Sequence, residues 1–279
     1  MTDPMISTED LARRLNEPGV RVVDASWHLD GRDGRAEFLR ERIPGAVFFD
    51  IDKIADRATA LPHMLPAPAE FAAAVGALGV SDKDMIVVYD TASMFSAARA
   101  WWTFRIMGAR AVRVLDGGLQ KWKREGRQVV AGGETPPRAV FNPSFDAALV
   151  ANYEDVLSAL DKAAPQIVDA RPAARFRGEA PEPRAGLRGG HMPGARNIPA
   201  SALVAEDGTL RSAQELRAVF AAGGVDPAGA IAASCGSGVT AAAIALALAR
   251  LGNDRAAVYD GSWAEWGARA GAPVVAGEA

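Results

Sequence analysis

The sequence predicts an α/β fold built from two tandem units, each a parallel β-sheet covered by helices on both faces. Three observations lead there. Blocks of sequence recur in the same order about 145 residues apart, short and wholly apolar runs alternate with longer amphipathic ones, and a Gly/Pro-rich break separates the two halves. Val-Val-Asp-Ala-Ser at 22–26 returns as Ile-Val-Asp-Ala-Arg at 167–171, and Ile43-Pro-Gly-Ala46 returns as Met192-Pro-Gly-Ala195. Met85–Asp90 matches Ala230–Cys235, and Leu115-Asp-Gly-Gly118 with Trp122 matches Tyr259-Asp-Gly-Ser262 with Trp266.

Taken in order, Ile86–Tyr89 reads as a strand and Ser96–Met107 as the helix after it. In the second half Ile167-Val168, Ala230–Ala233 and Ala256–Tyr259 read as strands, Ser212–Ala222 and Thr240–Leu251 as helices. Strands that are apolar on both faces and separated by helices argue for a parallel sheet enclosed on two sides. The break at Ala131-Gly-Gly-Glu-Thr-Pro-Pro137 sets the expected boundaries: a first unit over 1–130, a linker over 131–146 and a second unit over 147–279. At 279 residues and 49% hydrophobic content, each unit has material for its own core.

A formal net charge of -3 supplies no basic field for nucleic acid or acidic lipid. The longest apolar run, Val239–Ala249, is far below the roughly 20 residues of a membrane helix, so a cytoplasmic protein with no membrane partner is expected. Cys235 is the single cysteine, which excludes an internal disulfide framework and a cysteine-rich zinc site. It ends an apolar strand and precedes Gly236-Ser237-Gly238-Val239-Thr240, after which a helix begins. Two glycines allow the loop to turn its N–H groups inward as an anion nest, and the helix dipole adds positive potential there. Both favour thiolate over thiol, the form that attacks electrophiles. The first half carries Asp90 at the matching position.

Cys235-Gly-Ser-Gly-Val-Thr-Ala241 resembles the active-site loop of the rhodanese superfamily, and within it that of the 3-mercaptopyruvate sulfurtransferases. Ala256–Trp266 and His191-Met-Pro-Gly-Ala195 are similar to the two signatures of that superfamily, and the first half repeats the latter with Arg42 in place of histidine. The resemblance covers essentially the whole chain and implies two tandem rhodanese-like domains, the second catalytic. Thiosulfate-specific members carry basic residues directly after the cysteine. Gly236 and Ser237 stand there instead, which moves the expected donor toward a mercapto-acid.

Six arginines and two acids between Arg171 and Arg196 give that stretch a local charge of +4, and it is not expected to pack against itself. A guanidinium fork suits a carboxylate held by paired hydrogen bonds. In the resembling family two arginines of this pattern hold the donor's carboxylate and carbonyl, and they map onto Arg175 and Arg184. The resemblance also lines up Asp52 and His63 with Ser237 as a polar relay beside Cys235, which requires the first half to form one wall of the site. Arg99 is a weaker candidate for that wall, and His28 reads as structural. The cycle implied passes through a Cys235 persulfide, with Gly236, Gly238, Val239 and Thr240 cradling it, no metal or organic cofactor, and a thioredoxin-like protein, a small thiol or cyanide as acceptor. Competing readings are a thiosulfate:cyanide sulfurtransferase and a non-enzymatic persulfide carrier. A cysteine phosphatase lacks its arginine, since Ala241 stands at the sixth place after Cys235, and Ser237 does not sit in the Gly-x-Ser-x-Gly elbow of a serine hydrolase.

Overall fold

The recurring blocks fold into two five-stranded sheets, both entirely parallel, in a computed structural model that describes residues 3–92, 94–133, 135–162 and 164–278. The chain divides into two units. One comprises Met1–Arg57, Leu65–Asp146 and Ala205–Leu210, the other Ala58–Met64, Ala147–Val204 and Arg211–Ala279.

The first unit contains β1 (Met5–Ile6), α1 (Thr8–Arg14), β2 (Val20–Asp24), α2 (Gly34–Arg40), β3 (Val47–Phe48), α3 (Pro68–Ala77), β4 (Met85–Tyr89), α4 (Phe95–Ile106), β5 (Ala111–Leu115) and α5 (Gly118–Arg124), with strand order β1-β5-β4-β2-β3. The second contains β6 (Val150–Ala151), α6 (Tyr153–Lys162), β7 (Gln166–Asp169), α7 (Ala173–Phe176), β8 (Arg196–Asn197), α8 (Ala213–Ala222), β9 (Ile231–Ser234), α9 (Ala241–Arg250), β10 (Ala257–Tyr259) and α10 (Ser262–Trp266), with the matching order β6-β10-β9-β7-β8. Consecutive residues of β4 and β9 are buried, so both faces of each sheet are covered, as parallel strands require.

The three helices and four strands named from the sequence lie within a residue of α4, α8, α9, β4, β7, β9 and β10 at each end. α8 starts one residue after Ser212 because that serine is its cap: its hydroxyl accepts the Glu215 N–H (3.3 Å), and the Glu215 carboxylate accepts the Ser212 N–H (2.9 Å). The two-residue strands β1, β3, β6 and β8 were beyond any periodicity, and register on a longer neighbour defines them, as in Met5 opposite Val114 and Asp169 opposite Asn197.

The 131–146 stretch, expected to link the halves, carries no helix or strand among its described residues but is bonded along the first unit. Gly132, Ala139, Ser144 and Asp146 donate to the carbonyls of Leu39, Gly76, Met107 and Ile106 at 2.7–2.9 Å. Phe141 meets the rings of Phe71 and Phe104 at 5.4 and 6.3 Å.

In the second unit β7 runs on to β8 on one side while β9 runs on to β10 on the other. The chain reverses direction across the sheet between β7 and β9, and the carboxyl ends of two such strands leave a crevice for a ligand. Cys235 follows β9 at this point, and Arg171 follows β7.

Candidate active site

Cys235 is 1% exposed and stands directly after the last residue of β9. Its peptide is held from below by α10. The Cys235 N–H donates to Ser262 Oγ (3.1 Å), that hydroxyl donates to the Tyr259 carbonyl (2.7 Å), and the N–H groups of Trp263 and Ala264 donate to the carbonyls of Cys235 and Gly236 (both 2.9 Å). Ser262 takes a left-handed φ of 47° to make these bonds, a conformation that costs a non-glycine residue energy and that surrounding contacts must hold. The loop turns at Gly238, whose φ of 75° is ready for glycine and strained for other residues. Thr240 caps α9 without a side-chain hydrogen bond. The dipole of this ten-residue helix therefore bears on the loop without a side-chain oxygen in front of it.

Two guanidiniums reach the loop. A methyl group built on Gly236 would lie 3.2 Å from Arg175 Nη2 and 3.9 Å from Arg184 Nη1. Arg175 is placed by Glu182, whose side chain is only 2% exposed and whose two oxygens meet Arg175 Nη2 and Arg171 Nη1, the latter at 2.7 Å. Arg171 in turn is pinned by Asp169, with Nε within 3.1 Å of both carboxylate oxygens and Nη2 at 2.7 Å, by the Gly190 carbonyl (2.8 Å), and by the face of Trp263 at 4.1 Å. Burial works against the Arg171 charge, and Asp169 with Glu182 outweighs it, holding the guanidinium above its ordinary pKa. Arg175 Nε is buried and has no hydrogen-bond partner in the protein, a donor in reserve beside the loop. On its other side His63 Nδ1 lies 3.1 Å from Ser237 Oγ, both residues being buried, and His63 holds a left-handed φ of 60°.

The first unit shows what such a loop encloses. There the Asp90 carboxylate, on a residue 2% exposed, accepts the N–H groups of Ala92 (3.0 Å), Met94 (2.9 Å) and Ala97 (2.9 Å) and the Ser96 hydroxyl (3.0 Å). The loop wraps an anion carried on its own first residue.

Comparison with known proteins agrees with this geometry. The model of the rhodanese-like domain matches twice, over residues 7–125 and 152–269. The chain belongs to the rhodanese family. A 3-mercaptopyruvate sulfurtransferase of Escherichia coli strain K12 is 45% identical over 272 residues, covering 96% of each chain. A thiosulfate sulfurtransferase of Bos taurus is 43% identical over 274 residues, covering 95% of this chain and 92% of the relative. The crystal structure of SseA from Escherichia coli, described as a 3-mercaptopyruvate sulfotransferase, superposes with a TM-score of 0.87 at 42% identity, covering 94% of this chain and 99% of that one.

The second unit gathers Cys235, Ser237, Arg175, Arg184 and His63, the last through the Ala58–Met64 segment, which lies in sequence within the first rhodanese-like match. Asp52 is an exposed residue of the first unit whose carboxylate accepts the Trp27 indole N–H (3.1 Å). Arg99 is buried in α4 with its guanidinium 4.6 Å from the Trp102 ring, and His28 pairs with Glu37 at 2.8 Å. The expectation that the arginine-rich stretch does not pack against itself is overturned. Its own acids bind its arginines, Glu182 as above and Glu179 to Arg177 at 2.8 Å, and Arg188 is spent on backbone carbonyls of Trp266, Gly267, Arg269 and Ala272. Sequence reasoning missed Glu182, Ser262 and Trp263 as supports of the site. The acid of Pro181-Glu182-Pro183-Arg184 was the available signal for the first. Among the described residues no group of three or more His, Cys, Asp or Glu could hold a metal, and no helix is long and apolar enough to cross a membrane.

Proposed function

We propose that the chain is a sulfurtransferase that takes sulfur from 3-mercaptopyruvate, carries it as a Cys235 persulfide and passes it to a thiol or to cyanide. One observation carries this reading: two guanidiniums, Arg175 and Arg184, converge on Gly236, the residue next to the only cysteine. A thiolate at a helix N-terminus needs an electrophilic sulfur, and a pair of forks beside it needs a small carboxylate bearing that sulfur. A mercapto-acid with a 2-oxo group satisfies both. The Asp90 carboxylate held by the first unit's loop supports the persulfide, since a cysteine extended by one sulfur is an anion of comparable reach.

In the cycle the Cys235 thiolate attacks the donor sulfur, the S–S bond forms and the donor's C–S bond breaks, leaving the enolate of pyruvate. Arg175 and Arg184 orient the carboxylate and carbonyl and stabilise the charge that develops on the enolate oxygen. The proton that converts enolate to pyruvate comes from the donor's own thiol, passed along Ser237 and His63. The loop amides hold the persulfide until an acceptor thiolate attacks its outer sulfur and restores the Cys235 thiolate, a two-step exchange in which the donor product leaves before the acceptor enters. A thioredoxin-like protein or a small thiol suits this role because the chain has no second cysteine. Operation in a reducing compartment such as the cytoplasm keeps that single thiol reloadable.

The test is intact mass after brief exposure to 3-mercaptopyruvate or to thiosulfate, with and without added thiol. One sulfur gained, pyruvate released and reversal by thiol are expected, with mercaptopyruvate loading faster and Cys235→Ser inert. Arg184→Ala raises KM for mercaptopyruvate much more than for thiosulfate; equal losses for both donors overturn the carboxylate assignment. Faster loading from thiosulfate selects the inorganic donor, and no gain from either leaves a binding module.

A further inference from the structure

We infer that Glu182 sets the donor preference of this site by cancelling the positive charge that Arg175 would otherwise bring to the Cys235 loop, an inference that rests on the sulfurtransferase reading. The Glu182 carboxylate is withdrawn from water, with a side chain 2% exposed, and is divided between two guanidiniums. Arg171 is already matched by Asp169, which meets it through Nε and Nη2. The negative charge of Glu182 therefore answers to Arg175, and the quartet Asp169, Arg171, Glu182 and Arg175 is neutral as a whole.

Arg175 consequently presents itself at Gly236 as a set of directed N–H donors, including the unpartnered Nε, more than as a net cation. That distinction separates two kinds of donor. A 2-oxo mercapto-acid is a monoanion whose carboxylate and carbonyl profit from direction. A compact inorganic dianion such as thiosulfate profits from net charge, and in a buried site one unit of charge acts on it with twice the force it exerts on a monoanion. Glu182 is a positioning residue, acting through Arg175 without touching the donor.

The experiment compares Glu182→Gln, which keeps the shape and removes the charge, with Glu182→Asp, which keeps the charge and shortens the arm. Glu182→Gln should raise kcat/KM for thiosulfate relative to 3-mercaptopyruvate about tenfold, with a steeper loss of the thiosulfate rate on adding salt. Glu182→Asp should lower both rates and leave their ratio within about twofold of the wild type. Equal losses for both donors in Glu182→Gln, or the same change of ratio in Glu182→Asp, overturn the inference and reduce Glu182 to a structural brace. Should Glu182→Gln fail to fold, protection of Cys235 in the wild-type protein from iodoacetamide decides. Pyruvate should protect at lower concentration than inorganic sulfate, and sulfate protecting as well as pyruvate overturns the inference. A wild-type protein that releases no pyruvate from mercaptopyruvate instead refutes the underlying activity, an outcome distinct from these.

Discussion

Asp24 and Asp169 occupy the same place in the repeated block, and their neighbours make them different acids. Asp169 is followed two residues later by Arg171, which neutralises it. Asp24 has Ser26 in that place, with no cation to pair it: the Ser26 N–H donates to its Oδ1 at 2.8 Å, while Oδ2 is buried without a hydrogen bond. Burial, assisted by the charge of Asp90, pushes the Asp24 carboxyl up to about 6. Because the folded state holds this proton more tightly than the unfolded chain, stability falls as pH rises from about 4 to about 6 and stays lower above that window. Asp24→Asn should therefore stabilise the protein by about 1–3 kcal/mol at pH 7.5 and by almost nothing at pH 4. Urea unfolding at the two pH values measures it, and an equal effect at both would refute it. Cys235, Ser237, Arg175 and Arg184 were legible as candidates because each sits in a motif, and His63 only through the family resemblance. The partners that aim them were not, since nothing in a local +4 stretch reveals that Glu182 lies buried between two of its arginines.

At the scale of elements, the sequence is clear where the chain is long enough to show a period. α9, with its run of alanine, isoleucine and leucine, and β9, with small residues buried on both faces, are each readable from composition alone. Two-residue strands carry no period, and the backbone path of 131–146 is decided by hydrogen bonds to residues far away in sequence, such as Ala139 to Gly76 and Gly132 to Leu39. Helix starts are decided by caps. Ser212→Ala removes the hydroxyl that accepts the Glu215 N–H and donates to the Glu215 carboxylate, and should cost about 1 kcal/mol. A chemical-unfolding midpoint unchanged from the wild type would show that α8 is held by packing alone. The turn at Gly238 belongs to the same scale: its positive φ couples the end of β9 to the start of α9.

Across the whole molecule, one design is used twice with opposite outcomes. In the first unit the loop after β4 closes on Asp90, and four donors within 3.0 Å make it a fixed part of the fold. In the second the loop after β9 carries the Cys235 thiol, a shorter and weaker acceptor than a carboxylate. Asp90→Ala should cost about 2–4 kcal/mol, because it strands buried N–H groups that a charged acceptor had satisfied. It should do so without changing the pyruvate yield per folded molecule, and a loss under about 0.5 kcal/mol would show that the carboxylate is incidental to the first unit.

A chain with one cysteine keeps a simple ledger of its own turnover. No internal thiol can discharge the loaded form, so in the absence of an outside nucleophile the reaction halts after each molecule has filled its single slot. The pyruvate released before that halt counts working molecules one for one, and the supply of acceptor, not of donor, then governs how fast sulfur flows through the protein.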